Sequence, residues 1–332
     1  MSRLDPMAHT VALVGPTAVG KTDISIELAR RLDAEIIGCD SMQVYRGMAA
    51  LTQQPTEAQC AAVPHHLIDC IGPTESFSVG QYRPLALSMI EAIHRRGKTA
   101  LIVGGTGLYL KALTHGLCEA PPGNGTVRAR LWEAVEREGS EAHHRRLQTI
   151  DPLAASKIHP RDARRVVRAL EVYEVTGRPL SNFWRSAPTG TWDRAGEAAS
   201  ITVIGLTRPR EELYERINRR VKRMIEDEAV LEEARGFRGL LLSLTARKIH
   251  GLQFLVRYLN CEISREETIR VWQQQVRNYA RRQLTWFRAD PKIQWLTVGS
   301  AEAPEDTAAR ILDAISSHMI GVPDGTCSAR RD

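Results

Sequence analysis

The sequence predicts an α/β fold, a parallel sheet flanked by helices and interrupted by a helical insertion. Three observations carry this. Short apolar runs alternate with segments of helical periodicity, the pattern of strands buried on both faces. The first run, Val11 to Gly15, passes through a Gly-rich loop straight into a helix pattern. Between residues 117 and 199 the apolar runs stop, and Arg, Glu and His become frequent.

The elements follow in order. Asp23 to Leu32 carries Ile24, Ile26, Leu28 and Leu32 at helical spacing. Ala34 to Gly38 reads as a second strand and leads to Asp40. Pro84 to Arg96 has a helix pattern, and Thr99 to Val103 is another buried strand stopped by Gly104-Gly105. Pro121-Pro122-Gly123 marks a boundary. Helical periodicity resumes around Leu131 to Glu138 and Arg164 to Val175, and the polar stretch from Ser186 to Ala199 closes the insertion. Ser200 to Leu206 returns to strand pattern and rejoins the sheet; Arg210 to Asp290 is mostly helical, and Ala308 to Ile315 forms a last amphipathic helix. The expected organisation is therefore residues 8–116 as the first part of the core, 117–199 as the insertion, 200–318 as the remainder with its C-terminal helices, and 319–332 as a disordered tail.

Composition narrows the class. The 332 residues are 43% hydrophobic and 25% charged, ordinary for a globular protein, with a formal net charge of +6. That excess alone does not separate a polyanion-binding protein from an ordinary basic one. Its distribution says more: Arg and Lys crowd into Arg161 to Arg168, Arg208 to Arg223 and Arg277 to Arg288, with apolar residues at helical spacing, so these read as basic helix faces. The six Cys, at 39, 60, 70, 118, 261 and 327, form no Cys-x-x-Cys pair, and His65-His66 and His143-His144 are adjacent rather than four apart, which argues against zinc. Scattered Cys fit a reducing cytoplasm. No apolar run is long enough to span a membrane, and the first ten residues lack a signal-peptide core.

Gly15-Pro16-Thr17-Ala18-Val19-Gly20-Lys21-Thr22 matches G-x-x-x-x-G-K-[ST] between a strand and a helix. The two Gly let the backbone curl so that N–H groups point at phosphate oxygens, and the helix adds the positive end of its dipole. Lys21 supplies a point charge, and the Thr22 hydroxyl is placed to ligate Mg²⁺. This makes the core P-loop NTPase-like and establishes phosphate binding, not the reaction. Asp40 closes the second strand, where α/β sheets bind ligands; it can ligate Mg²⁺ through water, serve as a general base, or be a turn or N-cap Asp. Thr106, in Val103-Gly104-Gly105-Thr106-Gly107, follows another strand at the same opening. Arg164, Arg165 and Arg168 fall near one side of the helix 162–176, a face suited to nucleic-acid phosphates.

Read together, GPTAVGKT, DSMQVYRGM, PHHLID (Pro64 to Asp69), VGGTGLYLKAL, IHPRDARRVVRALEVYEVTGRP, IGLTRPREELYERINRRVKRMI (Ile204 to Ile225) and NYARRQLTWFR (Asn278 to Arg288) resemble the tRNA dimethylallyltransferase family, in its order and over most of the chain from Thr10 to Arg288. The resemblance implies transfer of a dimethylallyl group from dimethylallyl diphosphate to the N6 amine of adenosine 37, beside the anticodon of tRNAs that read codons starting with U, with Mg²⁺ and release of diphosphate. It implies that Asp40 takes or orients the amine proton and that Thr106 stands where base and prenyl chain meet. Asp40, Ser41, Met42, Gln43 and Thr106 would read the base, whereas Arg128 and the stretch Arg164, Arg165, Val166, Val167 and Arg168 would hold the anticodon stem-loop. Arg216 and Arg220 would lie near the diphosphate. A cytoplasmic monomer is expected, and the lack of a Cys/His zinc-finger extension of the eukaryotic kind points to a bacterial-type form.

The chain departs from the family pattern twice. The Gly-Thr-Ala-Lys-Pro run is Leu51-Thr52-Gln53-Gln54-Pro55, and Ile-Gly-Tyr followed by a basic residue and Glu is His250-Gly251-Leu252-Gln253-Phe254. Both bear on rate or tRNA preference. His65-His66 are expected to be structural, and Trp272, Trp286 and Phe287 to be core. The competing readings are a P-loop kinase of a nucleoside or other small molecule, which leaves the basic insertion unexplained; prenylation of free adenine nucleotides, which needs no RNA-gripping insertion; and a non-catalytic RNA-binding module, against which Lys21, Thr22 and Asp40 stand intact.

Overall fold

Strands β1 (Thr10–Val14), β2 (Ala34–Cys39), β3 (His65–His66), β4 (Thr99–Gly104), β5 (Ile201–Thr207) and β6 (Gln294–Thr297) form one parallel sheet in the order β3-β2-β4-β1-β5-β6. The structure is a computed structural model that describes residues 9–117, 120–184 and 201–320. Every residue of β1 and β2 is buried, as helices covering both faces of a parallel sheet require. The register sets the site. Cys39 pairs with Gly104, Gly104 with Val14, and Val14 with Gly205, so β2, β4 and β1 end in one row and β5 runs two residues past it. The loops that follow them must then emerge along a single edge.

The helix Lys21–Leu32 packs on the C-terminal helix Pro304–Ile320, and the helix Val79–Arg95 packs on β2 and β4. The latter begins earlier than its pattern suggested. Ser78 and Gln81 form a reciprocal capping box that starts the helix at Val79, which leaves Pro84 inside it. Two strands escaped the sequence reading. β3 is only two residues long, and β6 follows a helix whose pattern runs close to it. The stretch from Arg210 resolves into helices Arg210–Glu226, Glu228–Gly236, Leu252–Leu259 and Arg265–Arg288, with a 3₁₀ turn at Ala246–Lys248. The last helix runs past the expected Ile315 to Ile320; the remainder of the expected tail, the polar stretch at 185–200, Cys118 and Cys327 lie outside the described residues. No helix among the described residues is long and apolar enough to cross a membrane.

Glu35 is the charged exception within β2. It is 4% exposed and accepts from Arg96 Nη2 at 2.6 Å and Nε at 3.1 Å, with His66 Nε2 2.7 Å away. His65 Nδ1 meets the Val63 carbonyl at 2.7 Å, so both histidines fasten the sheet edge. Arg96, helped by His66 and opposed by burial, brings the Glu35 carboxyl down from its ordinary 4.5 to about 2. A depressed carboxylate stabilises the fold fully above its unfolded value and less as pH falls from there toward 2. Glu35→Gln is therefore expected to cost about 1–2 kcal/mol at neutral pH, the exposure of Arg96 moderating the loss. Thermal melts should show the gap from the parent narrowing as pH drops from 4.5 to 2.

By contacts the chain divides into two compact units, Met1–Leu113 with Ala199–Asp332, and Thr114–Ala198. The second is a helical unit of Gly125–Glu138, Ser140–Ile150, Pro152–Lys157, Ala163–Thr176 and Leu180–Trp184 around Leu131, Leu147, Val166, Val167, Leu170 and Val172. Buried Asp151 caps one of these helices through the Ala154 amide at 3.0 Å and accepts the Ser181 amide at 2.8 Å. His144 Nε2 reaches the Ile158 carbonyl at 2.9 Å, a packing role rather than a metal ligand. Among the described residues no group of three or more His, Cys, Asp and Glu stands ready to hold a metal ion.

Candidate active site

The loop after β1 wraps tightly because its backbone permits it. Gly15 has φ 154°, and a Cβ there would lie 2.6 Å from the Leu206 carbonyl oxygen of β5. Ala18 and Gly20 are also left-handed, at φ 65° and 109°, before the helix starts at Lys21. Side chains from distant segments hold the loop from outside. Arg216 Nε donates to the Ala18 carbonyl at 2.9 Å, and Arg208 Nε donates to the Val19 carbonyl at 2.9 Å. Buried Gln283 takes the Thr17 amide on Oε1 at 2.9 Å and gives Nε2 to the Gly105 carbonyl at 2.9 Å. It thus ties the phosphate loop to the loop after β4. A Cβ on Gly105 would fall 2.1 Å from that amide nitrogen, so only Gly allows the tie.

Lys21 folds over this loop, donating Nζ to the Gly15 and Pro16 carbonyls at 3.0 and 2.9 Å. Burial brings its ammonium down to about 8; Asp40 opposes that shift and Arg220 reinforces it. A cavity of about 760 Å³ opens here, and Thr17, Ala18, Gly20, Lys21, Thr22, Asp40, Met42, Gln43, Arg216, Arg220, Tyr279 and Gln283 all line it. The phosphate loop and the acid after β2 therefore share one space. Buried Gly15, Pro16 and Val19 contribute backbone behind it.

Asp40 Oδ1 accepts the Met42 amide at 2.9 Å, a local turn that leaves its second oxygen for the cavity. Thr106 stands just behind: its hydroxyl accepts the Ser41 amide at 2.9 Å, and its own amide donates to the Cys39 carbonyl at 3.1 Å. Tyr279, half-buried and hydrogen-bonded to Thr106, faces Asp40 from the helix Arg265–Arg288; desolvation drives its phenol well above the usual range. The first departure from the family pattern has a structural use. Gln43 Nε2 donates to the Gln53 carbonyl at 2.8 Å, and Gln54 Nε2 donates to the Gln43 and Tyr45 carbonyls at 3.0 Å each, so the two loops brace each other.

Comparison with known proteins places this geometry. Residues 43–290 match the IPP transferase family model, and residues 8–69 match that of isopentenyl transferases. A tRNA dimethylallyltransferase of Geobacter metallireducens is 43% identical over 288 residues, 86% of this chain and 91% of that one. Its namesake in Syntrophobacter fumaroxidans is 44% identical over 86% and 82% of the two chains. The chain belongs to the IPP transferase family. The crystal structure of the full-length tRNA isopentenylpyrophosphate transferase of Bacillus halodurans is 38% identical and superposes with a TM-score of 0.68 over 94% of this chain and 97% of that one. A eukaryotic dimethylallyltransferase, described as acting on tRNA, gives a TM-score of 0.78 at 25% identity, covering 96% and 82%.

Within this IPP transferase fold, three residues at the site were missed by sequence reasoning: Gln283, Tyr279 and Arg208. Gln283 and Tyr279 lie in the quoted run 278–288, but nothing in spacing says that a helix so far along the chain returns to the phosphate loop. Trp286 is a correction. Trp272 and Phe287 are core, each 1% exposed, but Trp286 is 42% exposed and lies against Gly107, because its turn of the helix faces the β4 loop rather than the interior. The remaining expected tRNA contacts belong to the helical unit. Arg164 and Arg165 are exposed. Val166 and Val167, at 0% and 1%, are core, so their side chains offer nothing to a ligand and serve to orient their neighbours. Arg128 Nη2 and Arg168 Nη1 both bind Glu171 Oε2, at 2.8 and 2.9 Å. Burial raises that carboxyl, and the two arginines outweigh it to leave it below its ordinary range.

Proposed function

We propose that the chain transfers the dimethylallyl group of dimethylallyl diphosphate to the N6 amine of adenosine 37, beside the anticodon of tRNAs reading codons that start with U, and releases diphosphate. The shared cavity carries this reading: a phosphate loop and an acid, Asp40, line one space large enough for both reactants. The loop amides, Lys21, Arg216 and Arg220 hold the diphosphate and stabilise the charge it gains on leaving. The amine nitrogen attacks the allylic carbon, the carbon–oxygen bond breaks, and Asp40 accepts the proton the nitrogen sheds. Thr106 and Ser41 set the position of Asp40, and Met42 and Gln43 stand beside the base. A purine reaches such a cavity only out of its stack.

The oxygen donors present suit Mg²⁺. Thr22 lines the cavity and its hydroxyl would hold the ion, Mg²⁺ being held by one or two protein oxygens together with substrate phosphates, while Asp40 would reach it only through water and keep an oxygen free for the proton. Bound there, it would neutralise charge on the diphosphate. In the helical unit, Arg164 and Arg165 would grip the anticodon stem-loop directly, with Arg128 and Arg168 shaping that surface through Glu171. A monomer suffices, since one chain supplies every group named. The kinase reading is not favoured by the relatives.

Incubation of the protein with labelled dimethylallyl diphosphate, Mg²⁺ and unmodified tRNA should place label on one adenosine beside the anticodon. ATP-dependent phosphorylation of a small molecule without any labelled tRNA would overturn the proposal.

A further inference from the structure

Beside Asp40, the cavity wall carries an imidazole that the mechanism has not used. His250 lines the cavity, yet both its ring nitrogens are buried and neither has a hydrogen-bond partner among the described residues. Gln275 lies close enough to favour the protonated ring, and its Oε1 also accepts the Gly251 amide at 3.0 Å, but it makes no hydrogen bond of normal geometry to either ring nitrogen. The ring packs on Tyr279, centroid to centroid 4.3 Å at a tilt of 51°, and Tyr279 leads through Thr106 to the Asp40 side of the cavity. Two unpaired nitrogens at a cavity wall are costly unless a ligand completes them.

We propose that His250 is a contact for the acceptor base: a small rotation of its ring presents a nitrogen to the edge of the extruded adenine and holds the amine toward Asp40. This rests on the transferase reading above. The chemistry selects the base over the diphosphate. A diphosphate offers only acceptors and already faces the charged donors Lys21 and Arg220. An aminopurine edge offers both an N–H and a ring nitrogen, so the one imidazole nitrogen presented finds a partner whether it is the acceptor or the donor. Burial, opposed by Asp40 and reinforced by Arg282, with Gln275 and Arg220 acting less in opposite senses, brings His250 down to about 4, so it is neutral at working pH.

The test compares the full chain with His250→Ile, an apolar side chain without a ring nitrogen, and His250→Gln, in steady-state transfer from dimethylallyl diphosphate to tRNA. In His250→Ile, kcat/KM for tRNA should fall about 10–100-fold, the scale of one lost buried hydrogen bond to substrate, while KM for dimethylallyl diphosphate changes less than about twofold. His250→Gln should recover most of the loss, and neither variant should melt lower than the parent. An unchanged kcat/KM for tRNA in His250→Ile, a parallel loss of diphosphate affinity, or a Gln variant no better than Ile would overturn the assignment while the parent still labels tRNA. A parent that labels no tRNA would overturn the transferase reading itself, and His250 with it.

Discussion

Asp40→Asn is expected to slow prenyl transfer by about 10²–10⁴-fold, the range for losing a general base, while tRNA affinity stays within a few-fold of the parent. Asn is the sharper substitution because its amide oxygen can still accept the Met42 amide that Asp40 Oδ1 accepts at 2.9 Å. The turn after β2 then survives, and only the charge and the proton acceptor are removed. Asp40→Ala loses the turn as well and should be no faster. Single-turnover labelling with tRNA saturating separates the chemical step from binding. A normal rate in the Asn variant would show that the amine proton leaves by another route, and Asp40 would then be a turn residue alone.

Lys21→Ala should lower kcat by about 10²–10³-fold, the cost of one preorganised charge lost from a leaving group, and weaken dimethylallyl diphosphate binding as well. Its titration gives an independent check. Burial lowers the ammonium from its ordinary 10.5 to about 8, so it is charged at neutral pH and loses its proton as pH rises through 8. A bound diphosphate restores that proton. Binding above pH 8 should therefore take up protons and weaken with rising pH, as calorimetry in two buffers of different ionisation heat would record. Lys21→Ala should abolish the uptake. Binding without proton uptake in the parent would mean that Lys21 does not face the diphosphate.

Much of this site is visible in the amino-acid order, because it rests on local rules. The run from Val11 through Gly20 to Lys21 and Thr22 shows a strand, a loop turned on Gly15 and Gly20, and a helix start. Asp40 and Thr106 each follow an apolar run, and parallel strands place such residues on one edge. Capping obeys local rules too, and Ser78 with Gln81 outweighed Pro84 where the reading by Pro had started the helix late. Short, half-buried β6 and two-residue β3 carry too little pattern to register.

The sequence alone determined the Gly-rich loop before Lys21, the acid after the second strand, the family and the helices that lie between Gly125 and Trp184, since each depends on residues close along the chain. Only the tertiary structure decided that Gln283 clasps Thr17 and Gly105, that Tyr279 backs Thr106, that Trp286 leaves the core for Gly107, and that His250 faces the cavity with its nitrogens unpaired. Those pairings join residues up to 266 positions apart. Which side of a helix meets a distant loop is set by how buried surfaces pack, and no periodicity within the helix records it.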